Sequence, residues 1–226
     1  MPGWSRICIA ARIPSGSTEQ MARPGRWQDR LMSWLVWLLC AAPLLMFVWQ
    51  GFHDDLTANP IEYILRSLGL WALRLLCVTL ALAPLAQLLK APAILRYRRR
   101  IGLWAFAYVC LHLTTYLAID KQFDWPVIIE DIIKRPYITI GMAAFVLLIP
   151  LAITSVNSIR RKMGARRWQR LHRLIYLIAP LGVLHYFLLV KADTSSPLLY
   201  AGIVAVLLAW RVFRHTQRRS RVARAT

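Results

Sequence analysis

Histidine is the residue type in this 226-residue chain best suited to redox or metal chemistry, and there are five: His53, His112, His172, His185 and His215. His53 falls in a polar connecting segment and His215 in a basic tail, where a solvated imidazole is the ordinary outcome. The other three sit inside or at the edge of long apolar runs, where a titratable ring is expensive and points to function. His112 lies within Cys110-Leu-His-Leu-Thr114, and His172 and His185 mark the two ends of a later run. At 1.5 Å per residue, His112 stands about 17 Å and His185 about 21 Å from the corresponding ends of their helices. The two rings are therefore expected within roughly one turn of each other. Two neutral imidazoles at one depth on neighbouring helices can supply both axial ligands of a haem b iron. A histidine pair with no open position suits electron transfer rather than oxygen chemistry. For either histidine alone the competing reading is a hydrogen bond to a neighbouring helix, worth about 0.6–2 kcal/mol; the matched depth favours haem.

His172 precedes His185 by 13 residues, about 20 Å along a helix, which is the separation of two stacked haems. The position that would pair with it on the third helix is Arg98, and arginine is no haem ligand. Thirteen steps of about 100° also turn His172 and His185 some 220° apart, an angle that Pro180 between them could alter. His172 is thus either a further metal ligand or an interfacial residue. Arg74, the cation deepest in an apolar run, needs an anionic partner. A haem propionate would serve, and snorkelling to the nearer interface is the alternative. Cys8, Cys40, Cys77 and Cys110 form no Cys-x-x-Cys pair and read as small hydrophobes. No residue stands out as catalytic.

The elements that must position these side chains are membrane helices. The chain is 58% apolar and only 17% charged, with a mean hydropathy of +0.47. Soluble domains run near 45–50% apolar and about 25% charged. Six runs approach the roughly 20 residues needed to cross a bilayer: 31–50, 68–89, 101–119, 137–154, 171–190 and 197–213. Trp34, Trp49, Trp104, Trp168 and Trp210 lie near their ends, as interfacial aromatics do. The fold class is all-α, an integral membrane bundle of six transmembrane helices. Pro43, Pro84, Pro150 and Pro180 are expected kinks, tolerated where neighbouring helices satisfy the freed carbonyls. No internal repeat is evident.

The net charge of +19 suggests nucleic acid only until its distribution is considered. Arg23, Arg26 and Arg30 precede the first run, Lys90 and Arg96 to Arg100 fill the second loop, and Arg160 to Arg170 fill the fourth. The tail adds Arg211, Arg214, Arg218, Arg219, Arg221 and Arg224. The other three loops hold Asp54, Asp55, Glu62, Asp120, Asp124, Glu130, Asp131 and Asp193, eight of the ten acidic residues. By the positive-inside rule both termini face the cytoplasm, and no nucleic-acid role is expected. The domain reading follows: residues 1–26 as an N-terminal tail, 27–213 as the membrane domain and 214–226 as a basic cytoplasmic tail. The first twenty residues lack a continuous apolar core, so a cleaved signal peptide is not expected, and Met21 is a candidate start.

Several stretches carry a family likeness. Arg99-Arg100-Ile-Gly-Leu-Trp-Ala-Phe-Ala-Tyr-Val-Cys-Leu-His112-Leu-Thr-Thr-Tyr116, Arg135-Pro-Tyr-Ile-Thr-Ile-Gly141 and Trp168-Gln-Arg-Leu-His172-Arg-Leu-Ile-Tyr176, followed by His185-Tyr186, resemble the haem-binding membrane subunits of bacterial methionine sulfoxide reductase systems, the MsrQ (formerly YedZ) family. More widely, residues 27–213 are similar to the ferric reductase and NADPH oxidase transmembrane superfamily, in which two histidines on each of the third and fifth helices hold two haems. This chain keeps three of those positions and departs at Arg98. The resemblance implies a multi-pass protein of the bacterial inner membrane. In it, electrons pass from the quinone pool through haem b to a periplasmic molybdopterin-containing catalytic subunit, which reduces methionine sulfoxide in oxidised periplasmic proteins. It also implies FMN, for which no phosphate-cradling motif is present. Two other readings compete. One is a ferric or other metal reductase, which the missing Gly-rich dinucleotide motif disfavours. The other is a transporter with a histidine proton relay, which the lack of carboxylates in the spans disfavours.

Overall fold

The computed structural model describes residues 26–53, 57–190 and 192–223; the N-terminal tail, Cys8 and the candidate start at Met21 lie outside them. The described residues form helices and connecting turns without a strand, and six helical segments are long and apolar enough to cross a membrane. In chain order the helices are α1 (Arg26–Phe52), α2 (Pro60–Leu88), α3 (Arg98–Thr114), α4 (Trp125–Lys134), α5 (Pro136–Ile153), α6 (Asn157–Met163), α7 (Ala165–Leu171), α8 (Ile175–Leu189) and α9 (Ser195–Ala223). α3 runs on through a widened π turn, Thr115–Asp120, and α7 joins α8 through a tight 3-10 turn, His172–Leu174. Pro43, Pro84, Pro150 and Pro180 all lie inside helices.

Boundaries depart from the apolar runs where polar chemistry extends a helix. α2 starts eight residues before its apolar run. Asn59 caps it by accepting from the Glu62 backbone N–H at 3.3 Å, Pro60 occupies the first turn, and Glu62 pairs with Arg66 one turn on at 2.5 Å. α4 has no counterpart among the six runs. Asp124 caps it, accepting from the Val127 N–H at 3.3 Å, with Pro126 in its first turn. Its side chains divide among three faces. Ile128 and Asp131 are buried against the protein; Trp125, Ile129 and Ile133 are exposed and apolar; Glu130 and Lys134 are exposed and paired with each other. A short helix between two spans with protein, apolar and ionic sides is suited to the bilayer boundary.

Two antiparallel hairpins, α2/α3 and α5/α8, face one another. One apolar cluster joins α1, α2 and α3 through Cys40, Leu68, Ala72, Leu75, Ile101, Ala105 and Tyr108. The other joins α2, α5, α8 and α9 through Leu76, Leu80, Leu148, Ile178, Ala179 and Val204. α2 belongs to both and is the most buried span, while α1 and α9 expose most of their apolar side chains. Such exposure suits lipid, not water. Cys40 and Cys77 are buried free thiols and Cys110 is partly buried, as small hydrophobes.

Candidate functional site

Between the hairpins lies a cavity of about 530 Å³. Leu73, Leu76, Val109, Phe145, Leu148 and Ile178 are among its apolar walls, and both His112 and His185 open onto it. The two ring centroids stand 6.2 Å apart with planes at 83°. Each imidazole is held in the same way. His112 Nδ1 donates to the carbonyl oxygen of Leu65 on α2 at 2.9 Å, and His185 Nδ1 donates to that of Tyr137 at the start of α5 at 2.6 Å. A carbonyl can only accept, so both rings carry the proton on Nδ1 and leave Nε2 as a free lone pair.

The room for each ring is made by a glycine four residues beyond the carbonyl. A Cβ at Gly69 would come within 3.2 Å of the His112 ring, and one at Gly141 within 2.7 Å of His185 Nδ1. One hairpin thus supplies Leu65, Gly69 and His112, the other Tyr137, Gly141 and His185. The glycine-to-histidine separations are 43 and 44 residues. The chain reads as free of repeats, yet its two hairpins build the same device twice.

Among the described residues no group of three or more His, Cys, Asp or Glu could hold a metal ion. A bare ion would find two imidazoles and little else. A metal carried in a planar macrocycle brings four ligands of its own and needs only the two axial positions. Two metal–imidazole bonds of about 2 Å each, with roughly one ångström from each nitrogen to its ring centre, add to about 6 Å, close to the observed separation. Donor set, spacing and cavity therefore fit such a group.

Polar residues gather at one end of the cavity: Glu62, Arg66, Tyr116, Asp120, Lys121, Arg135 and Tyr137. Asp131, buried on α4, ties this end together. Its carboxylate takes Arg135 Nε at 3.0 Å, Lys121 Nζ at 3.2 Å and the Tyr116 hydroxyl at 3.2 Å. Arg135 also donates to the Tyr137 hydroxyl at 3.2 Å, so the network reaches the residue whose carbonyl holds His185. Burial by itself would lower the Lys121 pKa, but the hydrogen bonds and charges of Asp131 and Asp120 hold it above its usual range. Tyr137, through its hydrogen bond and charge, and then Asp131 do the same for Arg135. Asp131→Asn removes the charge that three groups share. Its expected cost is about 1.5–3 kcal/mol, the range for hydrogen bonds to charged groups, read as a lowered Tm in detergent; an unchanged Tm would count against the hub.

The remaining sequence candidates lie elsewhere. Arg74 does not line this cavity: its Nε donates to the Tyr200 hydroxyl at 3.0 Å and its guanidinium lies 4.6 Å from the Trp71 ring centre. His172 is stacked on Trp168 at 4.0 Å, and its Nε2 shares a hydrogen bond with Thr154 Oγ1 at 3.1 Å. It opens the 3-10 turn, which winds about 120° per residue instead of 100°, so the helix phase between His172 and His185 is broken there as well as at Pro180. Arg98 is near His172. His53 and His215 are exposed, His53 stacking on Trp49 at 3.9 Å.

Comparison with known proteins first gives the class. The family model described as ferric reductase like transmembrane component matches residues 68–183, just over half of the chain, a segment holding Gly69, His112, Gly141 and His172 and ending two residues before His185. With its six apolar helices, the chain is a multi-pass membrane protein of that class. A Caulobacter vibrioides protein named protein-methionine-sulfoxide reductase heme-binding subunit MsrQ is 54% identical over 191 residues, 84% of this chain and 91% of its own. Proteins of the same name from Rhodospirillum rubrum and Xanthomonas euvesicatoria are 50% and 48% identical, over 85% and 86% of this chain and 92% and 84% of theirs. The chain belongs to the MsrQ family.

Proposed function

We propose that this protein is the haem b-carrying membrane subunit of a methionine sulfoxide reductase system, with His112 and His185 as the residues that would hold the iron. The observation that carries the reading is the pair of Nδ1-anchored imidazoles with free Nε2 atoms on one cavity. The names of the relatives support it. Haem would supply a one-electron carrier there, and the chain's own residues would hold it, orient it and keep it dry. The hydrogen bond at each Nδ1 fixes the tautomer and raises the basicity of the ligating nitrogen. Leu73, Leu76, Leu148 and Ile178 would keep water out of the cavity around the group. Arg66, Lys121 and Arg135 line the polar end, where the propionates of a haem would meet positive charge. Arg74 keeps Tyr200 and Trp71, so the propionate role passes from it to these three. His172, engaged by Thr154, is not included among the ligands.

Electrons arrive from the quinone pool of the bacterial inner membrane and leave on the side where the paired histidines lie, to a periplasmic molybdopterin-containing catalytic subunit. The basic connections and both termini face the cytoplasm, and the partner docks at the loops around residues 51–67 and 120–136. FMN enters only through the family likeness and is given no residue here. A proton relay fits the cavity less well, because Glu62 and Asp120 lie at its polar end in ion pairs, not beside the histidines. The test is an absorption spectrum of detergent-purified protein reduced with dithionite. Sharp b-type bands and haem bound in stoichiometric amount are expected. Their absence from protein expressed with ample haem would end the reading.

A further inference from the structure

The two ends of the bundle balance charge differently. At the polar end of the cavity, Arg66 pairs with Glu62, Lys121 and Arg135 with Asp131, and Lys134 with Glu130. At the opposite end, where α3 begins, two arginines are drawn together with no carboxylate between them. Arg211 of α9 donates through Nη1 to the Tyr176 hydroxyl at 2.6 Å and through Nη2 to the Leu80 carbonyl at 3.1 Å, its guanidinium 4.9 Å from the Tyr176 ring centre. Arg98, the first residue of α3, lies near Tyr176 and close enough to Arg211 for their charges to repel. Both side chains are partly buried, and Arg211 Nε is a buried donor without a hydrogen-bond partner. Among the described residues neither guanidinium has an acidic partner.

Like charges brought together in an apolar setting repel each other and lose hydration, and they are retained where an anion completes them. A buried N–H left orphaned asks for an acceptor in the same place. Arginine forks match tetrahedral oxyanions better than they match a single hydroxyl. Arg211 sits six residues short of Gln217, where its span ends, about 9 Å along the helix. That depth is within reach of a headgroup at the membrane surface, and basic pockets between transmembrane helices take lipid phosphates in this way.

We infer that Arg98 and Arg211, with Tyr176 between them, form a binding site for a phosphate-bearing anion at the basic end of the bundle. The site is separate from the histidine cavity, and the inference stands whether or not that cavity carries haem. The test is the thermal stability of the full-length protein in a neutral detergent, titrated with phosphatidylglycerol, with a glycosyl diacylglycerol that lacks phosphate, and with inorganic phosphate. Phosphatidylglycerol raises Tm and the glycolipid does not. A rise with inorganic phosphate as well identifies a site for free phosphate; a rise with the phospholipid alone identifies a headgroup. Arg98→Gln weakens the response about tenfold in half-saturating concentration, as loss of a charge-assisted hydrogen bond would. Arg98→Lys, which keeps the charge but not the fork, falls between Arg98→Gln and wild type. Arg160→Gln with Arg161→Gln, on exposed α6, changes nothing. Equal responses from wild type and Arg98→Gln, or no stabilisation of wild type by either phosphate source, would overturn the inference.

Discussion

His112→Gly and His185→Gly each leave the purified protein nearly free of haem, while His172→Ala retains the wild-type amount. The expectation follows from what each ring has left to offer. His112 and His185 present Nε2 to the cavity because a carbonyl holds Nδ1, whereas the Nε2 of His172 is engaged by Thr154. Loss of a mere outer-shell support weakens metal sites about 10–100-fold, so loss of a ligand itself should reach the top of that range or pass it. Haem per chain measures the effect. Added imidazole separates a missing ligand from a damaged fold: it can occupy the space left in a glycine variant and restore the low-spin reduced spectrum. Full haem content with an unchanged spectrum in either glycine variant would remove the assignment.

How much of this was legible beforehand depended on which physical signal each feature leaves in a linear string. Apolar length is local and strong, so all six spans were visible, with errors where polar caps carried α2 outward to Asn59 and where the basic tail continued α9 to Ala223. α4 was missed because ten residues cannot span a bilayer, although Asp124 with Pro126 is a helix-start signal. The common depth of His112 and His185 came from counting residues and needed no contact information. Their anchors could not be counted out, since Leu65 and Tyr137 act through backbone carbonyls that every residue possesses. Arg74 illustrates a contact that residue counting does not reach. Its isolation in an apolar run implied a missing anion, but Tyr200, 126 residues away, supplies a neutral oxygen and Trp71 a ring face. Arg66 and Arg135, which do line the cavity, carry no such sign of isolation in the string.

Gly69 and Gly141 were the available clue. A glycine inside a helix costs about 1 kcal/mol relative to alanine, so one kept within an apolar span suggests close approach by something else. The two differ in how tightly that space is filled, which yields a graded expectation. Gly141→Ala would put a Cβ 2.7 Å from His185 Nδ1 and 2.9 Å from Cε1, below any normal contact. The imidazole must rotate or α8 must retreat, and either motion breaks the 2.6 Å bond to the Tyr137 carbonyl that fixes the tautomer. Overpacking costs about 1–3 kcal/mol, and loss of this outer-shell bond weakens haem binding about 10–100-fold. Gly69→Ala meets His112 at 3.2 Å, a distance a few tenths of an ångström of adjustment can relieve, so its effect on haem affinity should be several-fold smaller. Gly202→Ala on α9, where a Cβ would meet nothing within 4 Å and which does not line this cavity, is the control for adding a methyl group to an apolar span. Haem titration of the three proteins reads the series directly: the steric account requires Gly141→Ala to lose most, Gly69→Ala less and Gly202→Ala least, and any other order would separate Gly69 and Gly141 from the histidines they face.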